Sequence, residues 1–185
     1  MARKGSFFCI ALIILVVLCA TPAAAKSPIG AIEGMVVNVA NGDHITVSNN
    51  GTEIEVRLYG IHAPVLTKMI RVRPWHFLPG QPFAEKAFIA LANKVLHKQV
   101  KLEVMRKDRH ERSVGIVWVD GRNINHEMVA EGWAWARPKN KNQDYDLAYK
   151  NAEVAARTKR LGLWVQDNPQ PPWEFKKMIK REEKS

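Results

Sequence analysis

Two Asn-Gly pairs, Asn41-Gly42 and Asn50-Gly51, constrain this chain more than any other feature. Both residue types tolerate the positive φ that tight hairpin turns demand. Three β-patterned segments lie around them. Residues 32–40 are rich in Val and Ile. Residues 44–48 put Ile45 and Val47 on one face. Residues 53–59 put Ile54, Val56 and Leu58 on one face and Glu53, Glu55 and Arg57 on the other. Three strands joined by two short turns make an antiparallel meander.

The pattern then stops. Residues 64–82 hold Lys68, Arg71, Arg73, Trp75, His76 and Phe77 among Pro74, Pro79 and Gly80, which reads as a long basic loop with aromatics. Pro82 opens a helix in which Ala84, Ala87, Phe88, Leu91, Ala92 and Val95 form one apolar stripe. Val100, Leu102 and Val104 alternate as a fourth strand, and residues 114–119 form a fifth, ended by Asp120-Gly121. Residues 124–131 read as a short helix stopped by Gly132. Trp133 and Trp135 alternate in a short strand and are expected on opposite faces. Residues 144–161 read as a last helix, with Leu147, Ala148, Ala152 and Ala155 inward. The tail, 176–185, is charged and expected to fray. This order predicts an α+β, mainly β chain: a five-stranded OB-type barrel with about three helices.

Composition bears on where the chain works and what it meets. Arg3-Lys4, an apolar run and Ala23-Ala24-Ala25 are the parts of a secretory signal peptide over residues 1–25. Both cysteines, Cys9 and Cys19, lie inside it. The expected mature chain, 160 of the 185 residues, therefore has no disulfide, thiolate metal site or cysteine nucleophile. Removing residues 1–25 takes Arg3 and Lys4 and no acid, so the net charge falls from +10 to +8. That balance favours a polyanionic partner, such as nucleic acid, acidic polysaccharide or anionic lipid. An exported monomer, periplasmic or secreted, with no membrane span after cleavage is the expectation.

Several motifs carry a family resemblance. Asn41-Gly42-Asp43-His44-Ile45 and Val56-Arg57-Leu58-Tyr59-Gly60-Ile61-His62-Ala63-Pro64 resemble the opening of the staphylococcal nuclease (thermonuclease) family. Pro82-Phe83-Ala84-Glu85-Lys86-Ala87 resembles its first helix, and Asp108-Arg109-His110-Glu111-Arg112 its D-x-Y-G-R segment. The segment 125–132 resembles its second helix. Leu161-Gly162-Leu163-Trp164 and Pro171-Pro172-Trp173 resemble its C-terminal end. The likeness spans about residues 32–175, which gives a domain over 26–175 and a tail over 176–185.

The resemblance implies a five-stranded OB barrel with three helices, and calcium-dependent cleavage of phosphodiesters in DNA and RNA. It implies that Asp43 holds the metal and that Arg57 and Arg112 hold the phosphate. It also marks departures. His62 stands where a second metal-binding aspartate belongs, and Val65 where the family has its catalytic glutamate. A hard calcium site with one carboxylate is weak, and Val65 cannot accept a proton. Asp43 with His62, and His44 or His110 as a third ligand, would suit another divalent metal such as zinc or manganese. Each residue also has a plain structural reading: Asp43 in a turn, Arg57 paired with Glu53 or Glu55, Arg112 in a charged turn. Two functions stand open, a weakened or altered nuclease and a non-catalytic module. In the second, the arginines with Lys68, Arg71, Arg73 and Trp75 would bind nucleic acid or another polyanion.

Overall fold

Of the two Asn-Gly pairs, Asn50-Gly51 makes its turn with positive φ and Asn41-Gly42 does not. The computed structural model describes residues 28–70, 76–78, 80–137 and 146–182. Strand β1 (Gly30–Asn41) is followed by β2 (His44–Asn49) and β3 (Thr52–Leu58). Asn50 and Gly51 both take positive φ, 49° and 80°, as a type I′ turn requires. Short strands β4 (Ile61–His62), β5 (Lys68–Ile70) and β6 (His76–Leu78) precede helix α1 (Ala84–Val95). Then come β7 (Gln99–Lys107), β8 (Ser113–Val119), β9 (Arg122–Asn123), α2 (Ile124–Ala130) and β10 (Trp135–Ala136). Helices α3 (Asp146–Thr158) and α4 (Pro172–Glu182) end the described chain, with a 3-10 turn at Gly162–Val165 between them.

Antiparallel neighbours β3, β2, β1, β7 and β8 close into a five-stranded barrel through a parallel pairing of β3 with β8. Strand β1 serves two partners, β7 along its first half and β2 along its second. Register irregularities at Val36/Asn38 and Val39/Asn41 bend it between them. Val36, Val47, Leu102 and Val117 fill the barrel, and Leu91 and Val95 of α1 cap one end together with Ile124 and Met128 of α2. The apolar stripe predicted for α1 is the face it buries, with Phe88 and Ala92 at its edge.

Four expectations are corrected. The segment 64–82 is not wholly a loop, because β5 and β6 pair as a small hairpin. Helix α3 buries Tyr149, Ala152 and Ala156, whereas Leu147, Ala148 and Ala155 face solvent. Its inward face is thus rotated from the predicted one, with Tyr149 as anchor. Trp133 lies before β10 and is half-buried while Trp135 is in the core; residues two apart on a strand share a face, so the expected opposite faces do not follow from their spacing. The tail is helical to Glu182 and buries Phe175 and Ile179, so the described residues hold four α-helices rather than about three. The signal-peptide segment 1–25 and Arg71, Arg73 and Trp75 lie outside the described residues, as does the side chain of Lys68.

Asn125 locks α2 to the barrel. It is fully buried; its carbonyl accepts the Val117 N–H at 3.0 Å, and its amide donates to Tyr59 O at 2.9 Å and Gly115 O at 3.1 Å. Gly115 O also accepts the Tyr59 N–H, so an Asn125→Ala change removes partners chiefly from Val117 and Tyr59. At about 1–3 kcal/mol for the buried Val117 N–H left without its acceptor, we expect a loss of about 2 kcal/mol. Urea unfolding should show a lower midpoint at unchanged slope.

Candidate active site

The turn between β1 and β2 presents Asp43. Asn41 Oδ1 accepts the Asp43 N–H at 2.9 Å, an Asx turn that sets the carboxylate's direction. Gly42 is required here by space: a Cβ on it would lie 2.7 Å from Ala63 Cβ and 3.0 Å from Ala87 Cβ. This close approach seats the turn against α1 and the segment after β4. His44 Nδ1 lies 2.7 Å from Asp43 Oδ1 and 3.1 Å from Asn41 Oδ1. Both partners are acceptors, so Nδ1 carries the proton. Asp43 is only 5% exposed. Burial pushes its carboxyl up, but the His44 hydrogen bond and the charges of His44 and Arg57 outweigh that and hold it below its ordinary range.

Arg57, near the end of β3, lies opposite His44 in the β2–β3 register. Its Nη2 donates to His62 Nδ1 at 2.8 Å and sits 3.9 Å from Asp43 Oδ2. Among the described residues no ion pair joins it to Glu53 or Glu55. A guanidinium has no lone pair to offer, so His62 Nδ1 must accept and the imidazole is neutral, with its proton on Nε2. His62 is held by β4, which pairs with β10 opposite Trp135, and its ring meets the edge of Trp173 at 5.9 Å. Burial and the Arg57 charge push the imidazole down to about 4, with Arg137 and Lys176 adding to them and Asp43 opposing.

That shift has a consequence for stability. The unfolded chain takes up a proton near the ordinary value of 6.5, and the folded chain only near 4. Between these values the unfolded state binds more protons, so stability rises with pH. The contribution is complete above about pH 6.5 and is lost as pH falls towards 4, by about 3 kcal/mol. Urea unfolding at pH 7, 5.5 and 4 should show the decline, and a His62→Gln variant should flatten it.

Arg112 comes from the turn between β7 and β8. Asp108 organises that turn. Its Oδ1 accepts the N–H groups of His110 (2.8 Å) and Arg112 (3.2 Å), and its Oδ2 accepts Arg112 Nε and Nη2 at 2.9 and 2.8 Å. Glu111 takes a left-handed φ of 59° where the resembling D-x-Y-G-R motif has glycine.

A cleft of about 540 Å³ brings Asp43, His44, Arg57, Val65 and Arg112 together, with Arg109 and Lys176 at its walls. Sequence reading placed Asp43, Arg57 and Arg112 there. It missed Arg109 and Lys176 as cleft residues. His62 does not line the cleft; it stands behind Arg57.

The donor set fits calcium poorly. Asp43 offers one carboxylate, with Oδ1 engaged by His44 and Oδ2 facing the Arg57 cation. The His62 lone pair at Nδ1 is taken by Arg57. Among the described residues no group of three His, Cys, Asp or Glu side chains is placed to hold a metal, so neither His44 nor His110 completes a set with Asp43 and His62.

A closed five-stranded barrel flanked by helices, with a buried carboxylate, Arg57 and Arg112 in one cleft, defines an OB-type β-barrel protein. The family model for staphylococcal nuclease homologues matches residues 55–166. The chain belongs to that family, whose members in general depend on calcium. It is 34% identical over 146 residues to an uncharacterized endonuclease of Haemophilus influenzae, covering 78% of this chain and 73% of that one. It is 33% identical over 156 residues to the micrococcal nuclease of Shigella flexneri, covering 80% and 82%. The protein ParB of Escherichia coli is 33% identical over 177 residues, covering 90% and 88%.

Proposed function

We propose that the cleft binds the phosphodiester backbone of nucleic acid and hydrolyses it weakly. The observation that carries this reading is the convergence of Asp43, Arg57 and Arg112 in one cleft that Val65 lines where the family has its catalytic glutamate. Arg57 and Arg112 supply the positive charge that a more negative, five-coordinate phosphate needs. Asp43 orients His44 and balances Arg57. The proton of an attacking water has no acceptor at Val65, and loss of a general base alone lowers a rate by about 10²–10⁴-fold. Calcium or another divalent ion would find the carboxylates of Asp43 and Glu55 in the cleft lining, and among the described residues no third ligand is placed with them. We further propose an exported monomer, on the strength of residues 1–25 and the basic mature chain.

A second reading, a binding module without catalysis, is favoured by the Arg57–His62 pair, which holds a cation permanently beside Asp43. Both readings require binding. Fluorescence anisotropy with single-stranded DNA and RNA should show affinity falling with salt, with a log–log slope of at least about −1.4 for two neutralised phosphates. Binding that ignores salt, or none at all, would overturn both.

A further inference from the structure

Helix α4 is held to the body on one side and open on the other. Phe175 and Ile179, one turn apart, are both buried, and the Trp173 ring meets the His62 ring at 5.9 Å. The Gln81 amide donates to Gln170 O at 2.7 Å, which ties down the chain entering the helix. The other side carries Lys176, Lys177, Lys180 and Arg181, all exposed. The whole helix lies beyond residue 166, where the family match ends.

Lys176 connects this helix to the cleft. It lines the cleft with Arg57 and Arg112, and its charge reaches His62. Lys180 stands one turn further along the same face, and Arg181 one turn beyond Lys177. Each such step advances about 6 Å along the helix axis. The cations therefore lead away from the cleft in two adjacent rows.

Neighbouring acids do not neutralise the three that follow Lys176. Among the described residues, Lys177, Lys180 and Arg181 form no ion pair, and the exposed Glu174 of the first turn pairs with none of them. The helix dipole suits Lys180 and Arg181 in the last turn, but it does not account for Lys176 and Lys177. Like charges four residues apart, Lys176 with Lys180 and Lys177 with Arg181, oppose helix formation. Phosphates lying along the rows would relieve that repulsion. A bilayer surface fits less well. Phe175 and Ile179, the apolar face that a lipid-seated helix needs, are already buried against the fold.

We propose that the exposed face of α4 is a rail for the backbone of a single strand held in the cleft. Arg57 and Arg112 hold two phosphates, and Lys177, Lys180 and Arg181 meet those that follow. The rail rests on the nucleic-acid reading of the cleft, and the test separates the two. Anisotropy is measured over a range of salt with trithymidylate, whose two internucleotide phosphates match the two arginines, and with pentadecathymidylate. In Lys177→Gln/Lys180→Gln/Arg181→Gln the log–log salt slope for the long chain should fall by about 2, at about 0.7 for each phosphate released. Its affinity at low salt should fall by about tenfold or more. Trithymidylate should bind as before, which also shows that the variant is folded. Arg57→Ala/Arg112→Ala should weaken both chains. A long-chain slope unchanged in the triple variant, or equal losses on the two chains, overturns the rail and leaves the cleft standing. Unchanged binding of both chains in the arginine variant overturns the cleft reading instead. Lost binding to phosphatidylglycerol vesicles in the triple variant, with pentadecathymidylate unaffected, assigns the face to a membrane and overturns the rail. A parent protein that holds neither chain overturns both.

Discussion

A Val65→Glu variant is expected to hydrolyse single-stranded DNA about 10²–10⁴-fold faster than the parent when calcium or manganese is supplied. Val65 lines the cleft with Arg57 and Arg112 and is half-buried, so a carboxylate there would reach both water and the phosphate site. Its backbone is already fixed. Gln81 Oε1 accepts the Val65 N–H at 3.0 Å, and Val65 O accepts the Gln81 N–H at 2.8 Å. Gln81 is itself tied by its amide to Gln170 O at 2.7 Å, so the new side chain would project from a rigid point. Initial rates on a fluorogenic oligonucleotide measure the gain. Val65→Gln is the control, because an amide fills the same space and cannot take a proton. Adding His62→Asp should increase the gain, since a carboxylate would replace a neutral imidazole beside Asp43. A Val65→Glu protein no faster than its Gln counterpart would mean that proton acceptance does not limit this cleft.

Loss of the two arginines should have the opposite effect of similar size. Removing one preorganised charge from a site of developing negative charge lowers rates by about 10²–10³-fold. Arg57→Ala and Arg112→Ala are each expected to reach that range, together with weakened binding. Their side effects differ, and this distinguishes them. Arg57 is among the chief causes of the depressed His62 titration. Its removal should raise the His62 value, and the acid-side loss of stability should shrink. Against the opposing effect of desolvation, the hydrogen bonds and charge of Arg112 hold the Asp108 carboxyl below its ordinary range, and Arg112 is not among the causes of the His62 shift. Its removal should loosen the β7–β8 turn instead. Arg57→Lys tests geometry against charge, since a single ammonium lacks the guanidinium fork.

Local chemistry was legible in the sequence wherever one short segment decides the outcome. Asn50-Gly51 makes its turn with both residues at positive φ, because no longer-range contact is needed. The α1 stripe buries as its spacing predicts, since that helix packs one face on a closed barrel end. Asp43 was legible from its Asn-Gly-Asp turn and its motif position.

What depended on tertiary contacts was not. Helix α3 carries apolar Leu147 and Val154 on the exposed side and small Ala152 and Ala156 on the buried side, so hydrophobicity pointed to the wrong face. The Arg57–His62 bond joins β3 to a two-residue strand held by β10, and no local pattern announces that pairing. Charge density made residues 176–185 read as a tail. The i, i+4 pair Phe175 and Ile179 behind Pro172 was a helix signal there, and it would have brought Lys176 to the cleft.

The most direct test of the account is cleavage and retention measured on the same labelled single-stranded DNA. The protein is incubated with calcium, with manganese and with EDTA, beside its Arg57→Ala/Arg112→Ala variant. The account predicts retention in all three solutions, slow cleavage that requires metal, and loss of both in the variant. Cleavage and retention that survive removal of both arginines would contradict it.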